Sequence, residues 1–400
     1  MSLPVRRFGR TELPMPLLSL GGMRFQQSWS DLPATEITAE SQANLQATLE
    51  RAVACGFHHI ETARHYGTSE RQLGALLPAV PDPQRILQTK VPPHTDPAAF
   101  EAELALSLER LGVQRVDLLA IHGLNRAEHL EQTLRPGGCL EVARRWQAEG
   151  QIGAVGFSTH APLPLILEAI ASDRFDYINL HWYFIRQDNR PAIAAARAHD
   201  MGVFLISPTD KGGHLHTPSE RMLELCAPLH PIVFNDLFCL AAEGVHTISV
   251  GAARPGDLDL HRQAVELLPR APELLPPILE RLEQARRTAL GDAWLASWDQ
   301  GLPDWQDTPG QINLPTLLWL HNLIEAWDLQ GYARARYGLL GAGGHWFPGA
   351  NADGLDTAVS EAELLCCLGG SPWAARIPNL LRELRRKVGG QATRRLMADA

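Results

Sequence analysis

Along the chain, hydrophobic residues switch repeatedly between strand-type runs and helix-type spacing. Short apolar runs of strand type fall at 17–24, 56–60, 85–90, 116–122, 152–157, 175–180, 203–207 and 246–250. Segments of helical character separate most of them, at 98–111, 140–149, 162–171, 189–200 and through Cys239. Strand and helix alternating in this way is the mark of repeated βαβ units. The eight alternations fill about 270 residues, close to the roughly 250 of an α/β fold of the (β/α)8 TIM barrel type. A short hairpin is expected ahead of the first barrel strand, within residues 5–25. Residues 25–41 read as a long loop over the strand ends, a length at which loops tend to be functional. Trp29 in that loop is either a wall of a substrate pocket or an anchor packed on the rim.

A closed parallel barrel gathers its chemistry at the carboxyl ends of its strands. Three of the runs deliver one ionisable residue each to such an end: Glu61, Lys90 and His122. Tyr66 follows Glu61 by five residues, in a polar turn that opens a helix. The four are therefore expected on one rim. Taken alone, the stretch 59–74 would equally suit a hydrogen-bonded corner of a core. Composition changes that balance: of the 36 lysines and arginines only three are lysines, Lys90, Lys211 and Lys387. A lysine kept at a strand end of so arginine-rich a chain points to chemistry that needs a compact ammonium with a tunable pKa, which a planar guanidinium cannot supply.

These residues resemble the aldo-keto reductase family. Its pattern of an acid, Thr-Ala, Tyr-Gly, Ser-Glu and Leu-Gly is met by Glu61, Thr62-Ala63, Tyr66-Gly67, Ser69-Glu70 and Leu73-Gly74. Its strand-end Thr-Lys and Ile-His are met by Thr89-Lys90 and Ile121-His122. The resemblance implies a catalytic tetrad of Tyr66, Lys90, Glu61 and His122, and NADPH-dependent reduction of an aldehyde or ketone by hydride transfer. Tyr66 would be the general acid, its phenol pKa lowered by Lys90, with Glu61 holding the lysine and His122 orienting the carbonyl. The family's acid is normally aspartate; Glu61 is one methylene longer.

No Gly-x-Gly-x-x-Gly follows a strand, which leaves a Rossmann domain unsupported. The resemblance implies instead an extended NADPH across the barrel mouth. Ser158 and Asn179 would take the carboxamide, Ser207 and Lys211 the pyrophosphate, and Gly251 and Arg254 the region of the adenosine ribose. The run from Ser207 to Gly213 offers backbone donors and a lysine, which suit an anion. Asn179 stands where the family more often has glutamine, and Ile206 where many members stack an aromatic ring. Arg254 is either the partner of a 2′-phosphate or a solvated arginine at a helix start.

A chain of 400 residues is too long for one small domain. Seven of its ten tryptophans fall between Trp294 and Trp373, and the proline-rich stretch 269–277 reads as a linker. The expected division is a barrel over 1–268 and a helical, tryptophan-rich extension over 269–400. Helices are expected at 278–290, 314–327 and 377–386, and the loop 343–349 is expected to pack on the rim or the substrate channel. The extension resembles the ferredoxin-like region of one branch of the family. It lacks the closely spaced cluster cysteines, since the adjacent pair Cys366-Cys367 cannot make a four-thiolate site, and no metal is expected. The six cysteines read as packing residues. A net charge of −9 argues against nucleic acid or an anionic membrane as partner, and no apolar run approaches the ~20 residues of a membrane span. With no signal-peptide core at its start, the chain is expected to be cytoplasmic and to act on a small carbonyl compound. A rival reading keeps barrel and nucleotide but makes the chain a non-catalytic sensor whose extension docks a partner; Glu61, Ile206 and the length of the extension fit that reading too.

Overall fold

Among the described residues ten strands form, in the order that the apolar runs predict. They are β1 (Val5–Arg7), β2 (Pro14–Pro16), β3 (Leu18–Gly21), β4 (His59–Glu61), β5 (Ile86–Val91), β6 (Val116–Ile121), β7 (Ile152–Ser158), β8 (Tyr177–Leu180), β9 (Gly202–Leu205) and β10 (Thr247–Gly251). The structure, a computed structural model, describes residues 3–342 and 347–390. Strands β3 to β10 close into a ring in which every neighbouring pair is parallel and β10 joins β9 to β3. The fold is a (β/α)8 barrel.

Alternation along each strand sorts its side chains into two cores. Leu18, Leu20, Ile60, Leu119, Val155, Ile178, Val203 and Val250 point outward and join one large buried cluster with helix residues such as Leu49, Leu104, Ala143 and Ile170. Ile86, Leu118, Ala120, Ala154, Tyr177 and Phe204 point inward. Burial on both faces is why the strands read as continuous apolar runs. The antiparallel pair β1 and β2 forms the expected hairpin and sends Phe8 and Met15 into the inner cluster, where the Phe8 ring lies 5.6 Å from that of Tyr177. Deleting a buried ring such as that of Phe8 costs about 3–5 kcal/mol. Two of the crossover helices start on side-chain caps: Thr38 accepts from Ser41 N before Ala39–Ala54, and Asp96 accepts from Ala98 N before Pro97–Leu111.

The chain divides into two compact units. Described residues up to Gly212, with Ile232–Ala271, form the first, which holds the barrel. The second consists of Gly213–Pro231 and the described residues from Pro272 on. It therefore draws in a segment that the sequence reading kept in the barrel, and its hydrogen bonds explain why: Arg221 Nε donates to Ala326 O at 3.0 Å, Ser219 Oγ to Trp327 O at 3.3 Å and Arg281 Nε to Leu225 O at 3.1 Å. The stretch 269–277 holds the junction of the two units, but as helix rather than loop. It enters the helix Ala271–Leu290, which carries Pro276 and Pro277 inside it. A buried stripe of Ala271, Leu275, Ile278 and Leu282 at helical spacing outweighs the prolines' lost backbone bonds. Further helices span Leu314–Trp327 and Ile377–Val388. Trp294 and Trp327 pack as core in this unit, and three of its tryptophans have their N–H groups satisfied: Trp294 Nε1 donates to Asn322 Oδ1 at 2.7 Å, Trp327 Nε1 to Leu282 O at 3.0 Å and Trp373 Nε1 to Ser297 Oγ at 3.0 Å. Of the expected loop 343–349, residues 343–346 lie outside the described residues. No single helix among the described residues is long and apolar enough to cross a membrane.

Candidate active site

Strand β4 is three residues long, and its alternation sends Ile60 to the helices while His59 and Glu61 face the barrel interior. On β5 the inward face carries Ile86, Gln88 and Lys90. The register sets Glu61 opposite Gln88, so Lys90 stands two residues further toward the rim. Its ammonium donates to Glu61 Oε2, to Thr62 O at 2.9 Å and to Tyr66 Oη at 3.4 Å. The same nitrogen lies 4.8 Å from the centre of the Tyr66 ring. His122 follows β6 and its backbone N–H donates to Val91 O at 2.7 Å, which places its ring edge-on to Tyr66 with centroids 5.7 Å apart. The structure thus brings together Glu61, Tyr66, Lys90 and His122.

Burial and charge act against each other here. Burial pulls the Lys90 ammonium down, but Glu61 and Tyr66 more than offset it, leaving its pKa above the ordinary lysine value. Enclosure raises the Tyr66 phenol above its ordinary value, with Lys90 opposing. The sequence led us to expect a phenol lowered by its lysine; burial wins instead. Beneath them, His59 is pushed down to about 3 by burial and then by Lys90, and so is neutral. Its Nδ1 is 2.6 Å from Ser19 Oγ, which in turn is 2.8 Å from Thr247 Oγ1.

The remaining motif residues build the turn that carries Tyr66. Thr62 Oγ1 and Ser69 Oγ are 2.8 Å apart, closing the turn on the helix Ser69–Leu76. Gly67 has φ +53°, and a Cβ there would lie 1.9 Å from Ser28 O, so only glycine lets the loop 22–38 approach Tyr66 this closely. Thr68 Oγ1 accepts from Gln27 N at 3.1 Å and Ser28 N at 3.2 Å. Glu70 accepts from Thr89 Oγ1 at 2.7 Å and pairs with Arg64, which also reaches Asp31 at 2.8 Å. Arg110 pairs with Asp31 as well, and Arg71 approaches it at 3.6 Å. Asp31 therefore ties the loop to three arginines, and Trp29 presents its ring edge-on to Tyr66 with centroids 6.2 Å apart. Asp31 carried no signal in the sequence, because its partners lie on three different segments.

Ser158 and Asn179 are register neighbours on β7 and β8. Ser158 Oγ accepts from Gly123 N at 3.0 Å. Asn179 is fully buried, and neither its amide oxygen nor its nitrogen has a hydrogen-bond partner. Ser207, in a left-handed conformation, leads into the short turn of helix Pro208–Lys211, and Lys211 Nζ lies 3.4 Å from His181 Nε2. Gly251 ends β10, and Arg24 Nη1 donates to its carbonyl at 3.0 Å. Arg254 is 78% exposed and donates from Nε to Asp257 Oδ1 at 3.2 Å. Arg24 stands 3.6 Å from the same aspartate and is a second cation in this corner that the sequence did not mark, being one arginine among many.

The model of the Aldo/keto reductase family matches residues 17–247, a span that includes Glu61, Tyr66, Lys90 and His122. The chain belongs to the aldo/keto reductase family. Among curated relatives, the D-threo-aldose 1-dehydrogenase of a Pseudomonas species is 24% identical, over 53% of this chain and 80% of its own length. Among solved structures, the holo form of an aldo-keto reductase from Bacillus halodurans superposes with a TM-score of 0.58 at 19% identity, covering 70% of this chain and 96% of that one. An aldo-keto reductase from Klebsiella pneumoniae in complex with NADPH gives 0.54 at 19% identity, covering 69% and 96%. At such identity the solved structures establish a common fold. As an aldo/keto reductase, the chain is an oxidoreductase whose family match ends before the extension begins.

Proposed function

We propose that this chain reduces an aldehyde or ketone to the alcohol with NADPH, using Tyr66 as the general acid within a barrel domain of residues 1–268. The observation that carries the reading is the buried Lys90 ammonium held between Glu61 and the Tyr66 hydroxyl, 3.4 Å from the latter, at the carboxyl end of the strands. Asn179 supports the cofactor: its buried amide lacks both a donor and an acceptor partner, which is what a carboxamide supplies. Ser158, Ser207, Lys211, Gly251 and Arg254 would hold the rest of it; that the Klebsiella neighbour was crystallised with NADPH supports the choice of nucleotide.

When bound, NADPH supplies the hydride. Tyr66 enters the reaction with its proton on, its phenol raised further by enclosure. His122, edge-on to that ring, orients the carbonyl oxygen toward the phenol. As the oxygen gains charge, the Tyr66 O–H bond breaks and the proton passes to it, leaving a phenolate beside Lys90. Glu61 and the Thr62 carbonyl keep the ammonium in place. Trp29 would form one wall of the pocket. A panel of aldehydes and quinones assayed with NADPH tests the reading. Turnover supports it; tight NADPH binding with no turnover on any of them would overturn it in favour of a nucleotide-sensing module.

A further inference from the structure

The strands β10, β3, β4 and β5 lie side by side in that order. Glu61 on β4 receives Lys90 from β5 on one side. On the other side a second group reaches it from two strands away: Ser249 Oγ, on β10, donates to Glu61 Oε1 at 3.2 Å. The intervening strand β3 would ordinarily block that contact with a side chain. At the crossing point it carries Gly21, register partner of Glu61, and a Cβ there would lie 2.5 Å from Ser249 Oγ and 3.1 Å from Glu61 Oε1.

We propose that Ser249 is a positioning residue for Glu61, reaching through the gap left by Gly21 to hold this chain's longer acid against Lys90. The proposal rests on the tetrad reading above. Its logic is geometric. A glutamate has one more rotatable bond than an aspartate, and a carboxylate fixed at one oxygen alone could swing away from the ammonium. Here each oxygen has its own partner, Oε2 the lysine and Oε1 the serine, and the two pull from opposite sides. Aspartate at this position would draw its carboxylate back by about 1.5 Å, the length of one carbon–carbon bond, and take it out of hydrogen-bond range of Ser249. Ser249 is thus coupled to the length of the acid, which a hydroxyl merely satisfied by the nearest acceptor would not be. The raised Lys90 pKa accords with a carboxylate held close.

The scarcity of lysine makes the test direct. With three lysines in the chain, full-length protein labelled with 13C-lysine gives three side-chain titrations by NMR, and Lys90→Met identifies the one from Lys90. No cofactor or substrate is needed. Ser249→Ala should lower the pH at which Lys90 titrates by about half to one unit, the equivalent of one ordinary hydrogen bond. On a Glu61→Asp background the same change should leave the Lys90 titration where it was. Ser249→Cys, which fills the space with a poor donor, should reproduce the downward shift should the alanine variant fail to fold. No shift in the Glu61 protein, or an equal shift on both backgrounds, overturns the proposal. An absence of carbonyl turnover in the parent would instead remove the proposed reaction, while the lysine titrations still decide whether Ser249 holds Glu61.

Discussion

Removing the ammonium of Lys90 strands a carboxylate. The two side chains of the pair are 1% and 4% exposed, so Lys90→Met leaves Glu61 buried with the Ser249 hydroxyl at 3.2 Å and no countercharge on its other oxygen. Breaking a buried pair by deleting one partner costs about 3–5 kcal/mol. Lys90→Met combined with Glu61→Gln removes the stranded charge, and an amide can still accept from Ser249. The double variant should therefore be more stable than the single one by about 2 kcal/mol or more. Urea denaturation of parent, single and double variants, compared at similar m, measures both differences. The pH dependence follows from the direction of the Lys90 shift. A folded pKa raised above the ordinary 10.5 gives stability that is fully present below 10.5 and lost as pH rises through the folded value. The gap between parent and Lys90→Met should therefore narrow as pH rises above the ordinary lysine range. A single variant within about 1 kcal/mol of the parent, or a double variant less stable than the single, would refute the reasoning.

Tyr66→Phe should lower kcat on a good carbonyl substrate by about 10²–10⁴-fold, the share of a general acid, while fluorescence titration finds NADPH affinity little changed; substantial remaining activity would mean another group donates the proton. Lys90→Arg should be almost as damaging although the charge survives, because the bulkier guanidinium spreads its charge and does not fit between Glu61 and Tyr66. Arg254→Ala should weaken NADPH but not NADH by roughly three- to tenfold, a modest effect because the side chain is largely exposed. Equal loss for both nucleotides would reject Arg254 as the partner of a 2′-phosphate and turn attention to Arg24. Asp31→Ala should release the loop 22–38 from its arginines and raise KM with little change in kcat; a fall in kcat alone would show that the loop does not shape the pocket.

What the sequence made legible was whatever a single strand encodes. The alternation of apolar runs fixed the barrel, and the ionisable residue at the end of each run located Glu61, Lys90 and His122, because a strand carries its last inward residue to the rim in any such barrel. Tyr66 was legible through the turn that follows. Contacts made across strands were not: Ser249 reaches Glu61 over Gly21, and Asp31 collects Arg64, Arg71 and Arg110, pairings that leave no local spacing to read. The proline stretch 269–277 does mark the junction of the two units, but its conformation was not legible, for a related reason. Local chemistry argued for a break, and a buried stripe at helical spacing, which depends on what surrounds it, overrode the break.

The direction of the Tyr66 shift bears on how the site would work. Raised by burial, the Tyr66 phenol is a weaker acid than a free one and keeps its proton until the substrate oxygen draws it. The difficulty moves to the next moment, when the proton has gone and a phenolate sits in an enclosed site. There the Lys90 ammonium, 3.4 Å from the oxygen, offers an attraction of about 5 kcal/mol at an effective dielectric constant of about 20. That attraction is weak while the phenol is neutral and grows as charge develops, so it lowers the barrier rather than deepening the ground state. It also requires the lysine to be charged throughout, which its raised pKa ensures, and to stay where it is, which falls to Glu61. On this account the acid acts through the lysine, and any change that lets Glu61 drift weakens catalysis without touching substrate.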